Sequence, residues 1–216
     1  MRLAEPIVRG LKVAGPAFFL GMQGSAVKTA WQIVVDRSVG SLSPFPFVSL
    51  LTNCVIWSYY GLLKADPTVL VPNSIGILSG LACVVMYHRH AEQKPLKLYA
   101  GAAAIIAFST ALAAYGNYKV LGSLGCALAV ILTGSPLVTL ASVVKSKSTA
   151  SLPVLVSLSA FLNSASWSLY GLLVAGDPMI YGPNLVGFVL ASVQMSLYVL
   201  FGLPPPKAKN PVKPVF

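Results

Sequence analysis

The chain has 216 residues, of which 56% are hydrophobic and 9% charged, with 5 acidic residues and a formal net charge of +10. A soluble domain carries roughly 25% charged residues, so the composition excludes an ordinary soluble protein and points to the bilayer. Nucleic-acid binding is also set aside: the cations sit between apolar runs and not on one amphipathic face.

A bilayer core of about 30 Å takes about 20 apolar residues per helix. Seven runs meet that length, near residues 8–30, 43–63, 68–87, 97–115, 119–143, 152–174 and 178–202. The first leads to Lys28 and not to a small-residue cleavage site, so no cleavable signal peptide is expected. The cysteines Cys54, Cys83 and Cys126 fall inside apolar runs without CxxC spacing and read as free buried thiols. His88 and His90 flank Arg89 at a segment end and read as part of a basic loop, so no metal or other cofactor is expected. The tail from residue 204 to 216 is proline-rich and basic, and is expected to be disordered.

Seven crossings place the two termini on opposite sides. One set of loops holds Arg37, Arg89, Lys94, Lys97, Lys145, Lys147, Lys207, Lys209 and Lys213; the other holds Arg2, Arg9, Lys64 and Lys119. By the positive-inside rule the first set is cytoplasmic, which puts the N-terminus outside or in a lumen and the C-terminus in the cytosol.

One passage occurs twice. Residues 53–63 read NCVIWSYYGLL and residues 163–173 read NSASWSLYGLL. Each copy continues through an Asp-Pro pair (Asp66-Pro67, Asp177-Pro178) to a Pro-Asn pair (Pro72-Asn73, Pro183-Asn184). The tryptophans lie 110 positions apart and the asparagines 111. The start is repeated too, with Gly24-Ser25 matched by Gly134-Ser135. Segments 1–3 therefore repeat as segments 5–7, and segment 4 has no counterpart. A single linker helix returns the chain to its starting side, so the two units enter in the same direction and are related by an axis along the membrane normal. The expected divisions are a first bundle at 1–92, the linker at 93–117, a second bundle at 118–203 and the tail.

Trp57 lies six residues before the end of segment 2, and Asn73 about six residues into segment 3. At 1.5 Å per residue both sit roughly 9 Å below the outer boundary, and Trp167 with Asn184 repeats the arithmetic. Tryptophan near a boundary also serves as an interfacial anchor, and asparagine within a span also bonds neighbouring helices. The duplication of both at matched depth favours a site. Two indoles supply flat apolar faces, and two carboxamides supply donors and acceptors without net charge. That set suits a neutral, polyhydroxylated solute. Glu5, Asp36, Asp66, Glu92 and Asp177 all map to loops, termini or helix ends, so no intramembrane relay couples passage to protons. Pro46, Pro136 and Pro153 are candidate bending points, since each removes a backbone hydrogen bond inside a helix.

These residues resemble the SWEET (MtN3/saliva, PQ-loop-related) sugar transporters, most specifically in GSPLVTLASVVKSKSTASLPVLVSL, the W-S-x-Y-G-L-L passages and DPMIYGPNLVGF. That family is itself an established example of parallel repeats. The resemblance implies seven transmembrane helices as two triple-helix bundles joined by a linker helix (3+1+3). It implies bidirectional, ion-independent movement of mono- or disaccharides by a homo-oligomer. Substrate-binding positions match Asn73, Asn184 and Trp167, with Trp57 a bulky ring that favours glucose or another hexose over sucrose. The outer gate matches Tyr60, Tyr170 and Asp177, with Lys64 close enough in sequence to join. The prolines of the inner gate match Pro46, Pro136 and Pro153, while the fourth falls at Ala26, and Lys28 replaces another common proline. Segment 1 is then expected to hinge elsewhere, for instance at Gly21 or Gly24, with Lys28 snorkelling to headgroups in the favoured reading and bonding carbonyls at the gate in the alternative. The plasma membrane is the favoured location, with an endomembrane the alternative.

Two other functions compete. A PQ-loop-type carrier of amino acids needs a charge within the bundle, and the chain lacks both that charge and the Pro-Gln dipeptide. A retinal-type seven-helix receptor needs a lysine in the last segment, and none lies between Pro178 and Gly202. An enzyme is not expected, since no segment clusters a nucleophile, a base or metal ligands.

Overall fold

The computed structural model describes the backbone of residues 4–132 and 134–204, and their side chains except 132 and 134–138. The described chain is helical throughout: α1 Glu5–Asp36, α2 Phe45–Leu63, α3 Pro67–His90, α4 Leu96–Ala114, α5 Tyr118–Leu132, α6 Gly134–Ser146, α7 Val154–Leu169 and α8 Pro178–Phe201. A π-helical turn, Tyr170–Ala175, extends α7. Among the described residues, five units are long and apolar enough to cross a bilayer, namely α2, α3, α4, α7 with its π turn, and α8. The fifth predicted segment is formed by α5 and α6, which flank Thr133; Thr133 itself lies outside the described residues. The first segment is longer than expected and runs unbroken for 32 residues, with Pro16 inside it and no interruption at Gly21 or Gly24. The expectation of a disordered tail falls on residues 205–216, outside the described residues.

Local chemistry sets the helix ends. Asp66 and Asp177 cap α3 and α8, accepting from Thr68 N at 2.9 Å and Met179 N at 3.0 Å, and each is followed by a proline. Proline suits a first helical position because its missing N–H has no helical acceptor there. The same reasoning alters the reading of two candidate hinges. Pro46 occupies the first turn of α2 and Pro153 is the N-cap of α7, so neither ring removes a hydrogen bond from a helix interior. Pro136 lies in α6, and its side chain is outside the described residues. Ala26 is half-buried in α1, and Lys28 beside it is exposed.

The helices close into a ring. Helix α3 packs between α1 and α2, and α8 between α7 and the α5–α6 unit. The two trios meet where α1 packs on α7 and α2 on α5, two seams that the repeat exchanges. The linker α4 lies outside, against α2 and α5. The architecture is thus all-α, seven transmembrane units arranged 3+1+3.

Buried side chains divide unevenly along the ring axis. At the end marked by Asp66 and Asp177, one cluster joins both bundles: Ile56, Tyr60 and Val69 from the first, Leu121, Trp167, Tyr170 and Ile180 from the second. Toward the opposite end each bundle has its own cluster. Ala30, Ile33, Phe47 and Tyr87 belong to the first, and Leu140, Val143, Leu197 and Tyr198 to the second.

Candidate functional site

Below the shared cluster lies a cavity of about 210 Å³ on the axis between the bundles. Its wall is built from repeat pairs: Asn53 with Asn163, Trp57 with Trp167, Asn73 with Asn184, Val69 with Ile180, and Phe19 with Ala129. The structure therefore brings together all four residues expected to meet a substrate. It adds Asn53 and Asn163, which open the duplicated passage but were not expected to line a site. None of the residues described as lining the cavity is ionisable.

The asparagines are held in position. Asn73 Nδ2 donates to the Val69 carbonyl at 2.8 Å, and Asn184 Nδ2 donates to the Ile180 carbonyl at 2.7 Å. One N–H of each amide is spent on the preceding helical turn, and the second N–H and Oδ1 are left for a ligand. Asn163 Oδ1 is buried without a partner among the described residues, the state of an acceptor that a ligand hydroxyl can satisfy.

Each indole rests on a glycine of the opposite bundle. A Cβ on Gly15 would lie 3.0 Å from Trp167 Cε2, and one on Gly125 would lie 3.1 Å from Trp57 Cε2. The two glycines are 110 positions apart, the same spacing as the indoles. Above them each indole meets a tyrosine edge-on, Trp57 on Tyr60 at 5.4 Å and Trp167 on Tyr170 at 5.8 Å between centroids. Edge-to-face packing is a favoured aromatic geometry.

The tyrosines then cross between bundles. Tyr60 Oη donates to Asp177 Oδ2 at 2.8 Å. Tyr170 Oη lies 2.8 and 2.7 Å from the two carboxylate oxygens of Asp66. Lys64 Nζ joins the first pair, 3.1 Å from Asp177 Oδ2 and 5.2 Å from the centre of the Tyr118 ring. Asp66 was not expected at this contact. The signal was available: Asp66 and Asp177 are repeat partners at a spacing of 111, and Tyr60 and Tyr170 at 110.

The change of spacing has a structural cause. Between the shared glycine and the capping aspartate, the second copy carries one residue more than the first. The π-helical turn, with its wider i→i+5 bonding, takes up that residue. Both aspartate amides consequently bond the same repeat position, Asp66 N to the Gly61 carbonyl and Asp177 N to the Gly171 carbonyl, each at 2.8 Å.

Two like-oriented triple-helix bundles around a neutral polar cavity, sealed at one end, define a membrane transporter built on parallel repeats. The sequence profile described as "Sugar efflux transporter for intercellular exchange" matches residues 10–95 and again 119–205. The chain belongs to that family, the MtN3/saliva or SWEET family. It is 32% identical over 200 residues to the "Sugar transporter SWEET1" of Xenopus laevis, covering 88% of this chain and 91% of that one. It is 28% identical over 201 residues to the "Bidirectional sugar transporter SWEET2" of Arabidopsis thaliana, covering 88% and 85%. A solved eukaryotic SWEET transporter superposes with a TM-score of 0.78 and 29% identity, covering 90% of this chain and 96% of that one.

Proposed function

We propose that the protein moves neutral sugars across the bilayer in both directions, without ion coupling, by opening the cavity alternately at its two ends. The observation that carries this reading is the cavity wall, in which paired indoles and paired carboxamides face one space and no ionisable group lines it among the described residues. Pyranose C–H faces stack on indole, and hydroxyls exchange hydrogen bonds with amides. In this reading Asn53, Asn73, Asn163 and Asn184 bind hydroxyls, and Trp57 and Trp167 form the walls.

The two Tyr–Asp crossings and Lys64 act as the outer gate. The structure is then the state closed outside, since the only cluster shared by both bundles among the described residues lies at that end. The inner gate lies between the separate clusters at the other end, near Ala26, Pro46, Pro136 and Pro153. The opposing indoles and Phe19 make the cavity one for glucose or another hexose, with sucrose disfavoured. The charge of the loops supports an N-terminus outside and a C-terminus in the cytosol, with the plasma membrane the favoured site. Assembly into homo-oligomers rests on the family resemblance.

The test is uptake by purified protein in liposomes from a panel of glucose, fructose, galactose, sucrose and amino acids. Saturable hexose uptake that amino acids do not inhibit is expected. Uptake of an amino acid in preference to every sugar would overturn the reading.

A further inference from the structure

A second cavity, about 230 Å³, lies on the outside of the ring, in the groove between α2, α4 and α5. Its walls are mostly apolar, with Phe45, Val48, Ile105, Leu128 and Ile131 among them and Ser49, Thr52 and Asn53 along the α2 side. It ends at one charged residue, Lys97, in the first turn of α4. From Phe45 at the start of α2 to Asn53 the groove runs about 12 Å along the helix, at 1.5 Å per residue. Lys97 makes no hydrogen bond or ion pair among the described residues. Arg89 and Lys94 stand on the adjoining stretch, with Glu92 the one acidic residue near them in sequence. An apolar slot reaching into the bilayer, with an unpaired ammonium at its mouth, is complementary to a lipid that carries a negative head.

We propose that this groove binds one anionic phospholipid, an acyl chain along α2 and α5 and the phosphate against Lys97. The site borders the transport path. Asn53 of α2 lines both this groove and the central cavity, and α5 contributes Ala129 to the cavity and Leu128 to the groove, so one layer of helices separates the two. The groove also lies on the α2–α5 seam, across which the bundles must move. A bound lipid therefore adjusts transport; that consequence rests on the transport reading, and the binding itself does not.

Native mass spectrometry of the purified protein, offered phosphatidylglycerol and phosphatidylcholine in equal amounts, tests the binding. One phosphatidylglycerol per chain is expected to be retained in preference to phosphatidylcholine. Lys97→Gln is expected to lower that retention about fivefold, the worth of one cation at a lipid surface. Gly101→Leu is expected to lower it by filling the groove, since a side chain there meets nothing within 4 Å. Lys147→Gln removes the same charge from a loop of the other bundle and is expected to change nothing. Equal retention of the two lipids, full retention by Gly101→Leu, or an equal loss in Lys147→Gln would each overturn the proposal. All of these are read without measuring sugar flux.

Discussion

Tyr170 and Asp66 belong to different bundles, yet the phenol oxygen sits 2.7 Å from one carboxylate oxygen and 2.8 Å from the other. The same carboxylate caps α3 through Thr68 N. One side chain thus starts a helix and fastens the bundles together. Hydrogen bonds to charged groups contribute about 1.5–3 kcal/mol, so Tyr170→Phe is expected to shift the equilibrium toward an open outer end by about 10- to 100-fold. Cys126, half-buried with its thiol 3.3 Å from the carbonyl of Met179, whose amide bonds Asp177 of the companion crossing, reports opening at this end. In a background lacking Cys54 and Cys83, Tyr170→Phe should speed labelling of Cys126 by an impermeant thiol reagent. An unchanged rate would remove the pair from the gate.

Asn73 and Asn184 make equivalent bonds to the carbonyl four residues earlier. Replacing either with alanine removes one such bond, worth about 1 kcal/mol, and should lower thermal stability only slightly. Transport should fall by at least about tenfold, because buried groups that hydrogen-bond a substrate discriminate steeply. Flux and melting temperature measured on the same preparation separate the two effects. A fall in flux that merely tracks lost fold would contradict a binding role.

Phe19 and Ala129 break the symmetry of the cavity, a large ring facing a methyl. Phe19→Ala is expected to widen the cavity on the first-bundle side and to raise the ratio of sucrose to glucose flux. The competition panel in liposomes checks this, and an unchanged ratio would show that size on this side does not select the sugar.

Gly61 and Gly171 make the closest glycine approaches to a neighbouring helix backbone among the described residues. A Cβ on Gly61 would lie 2.7 Å from Leu70 N, and one on Gly171 would lie 2.7 Å from Tyr181 N. Both clashes are with backbone, which cannot rotate away, and overpacking of this kind costs about 1–3 kcal/mol. Gly61→Ala and Gly171→Ala should each lower the melting temperature in detergent, whereas Gly21→Ala, with nothing within 4 Å, should not.

Much of this arrangement was legible in the chain. The duplicated W-S-x-Y-G-L-L passages give the bundles, and the offset of 110 to 111 pairs Trp57 with Trp167 and Asn73 with Asn184. Asp66 is equally legible from that offset, whereas the family resemblance points to a single carboxylate, Asp177. Phe19 and Ala129 carry no motif, because a large residue facing a small one shows only once two helices are brought together. The ring order, with α3 between α1 and α2, is likewise absent from hydropathy, since every span is apolar and the order is set by contacts distant in sequence. The π turn follows from one extra residue whose consequence depends on where Asp177 must sit.

The central claim is a neutral cavity whose passage is not tied to ions. Glucose counterflow in proteoliposomes, with no gradient of pH or salt, tests it most directly. The protein should drive transient uptake of labelled glucose against preloaded unlabelled glucose, equally at symmetric pH 6 and pH 8, and the Asn73→Ala, Asn184→Ala double variant should not. Uptake that appears only under an inward proton gradient, or counterflow that survives in the double variant, would contradict the account.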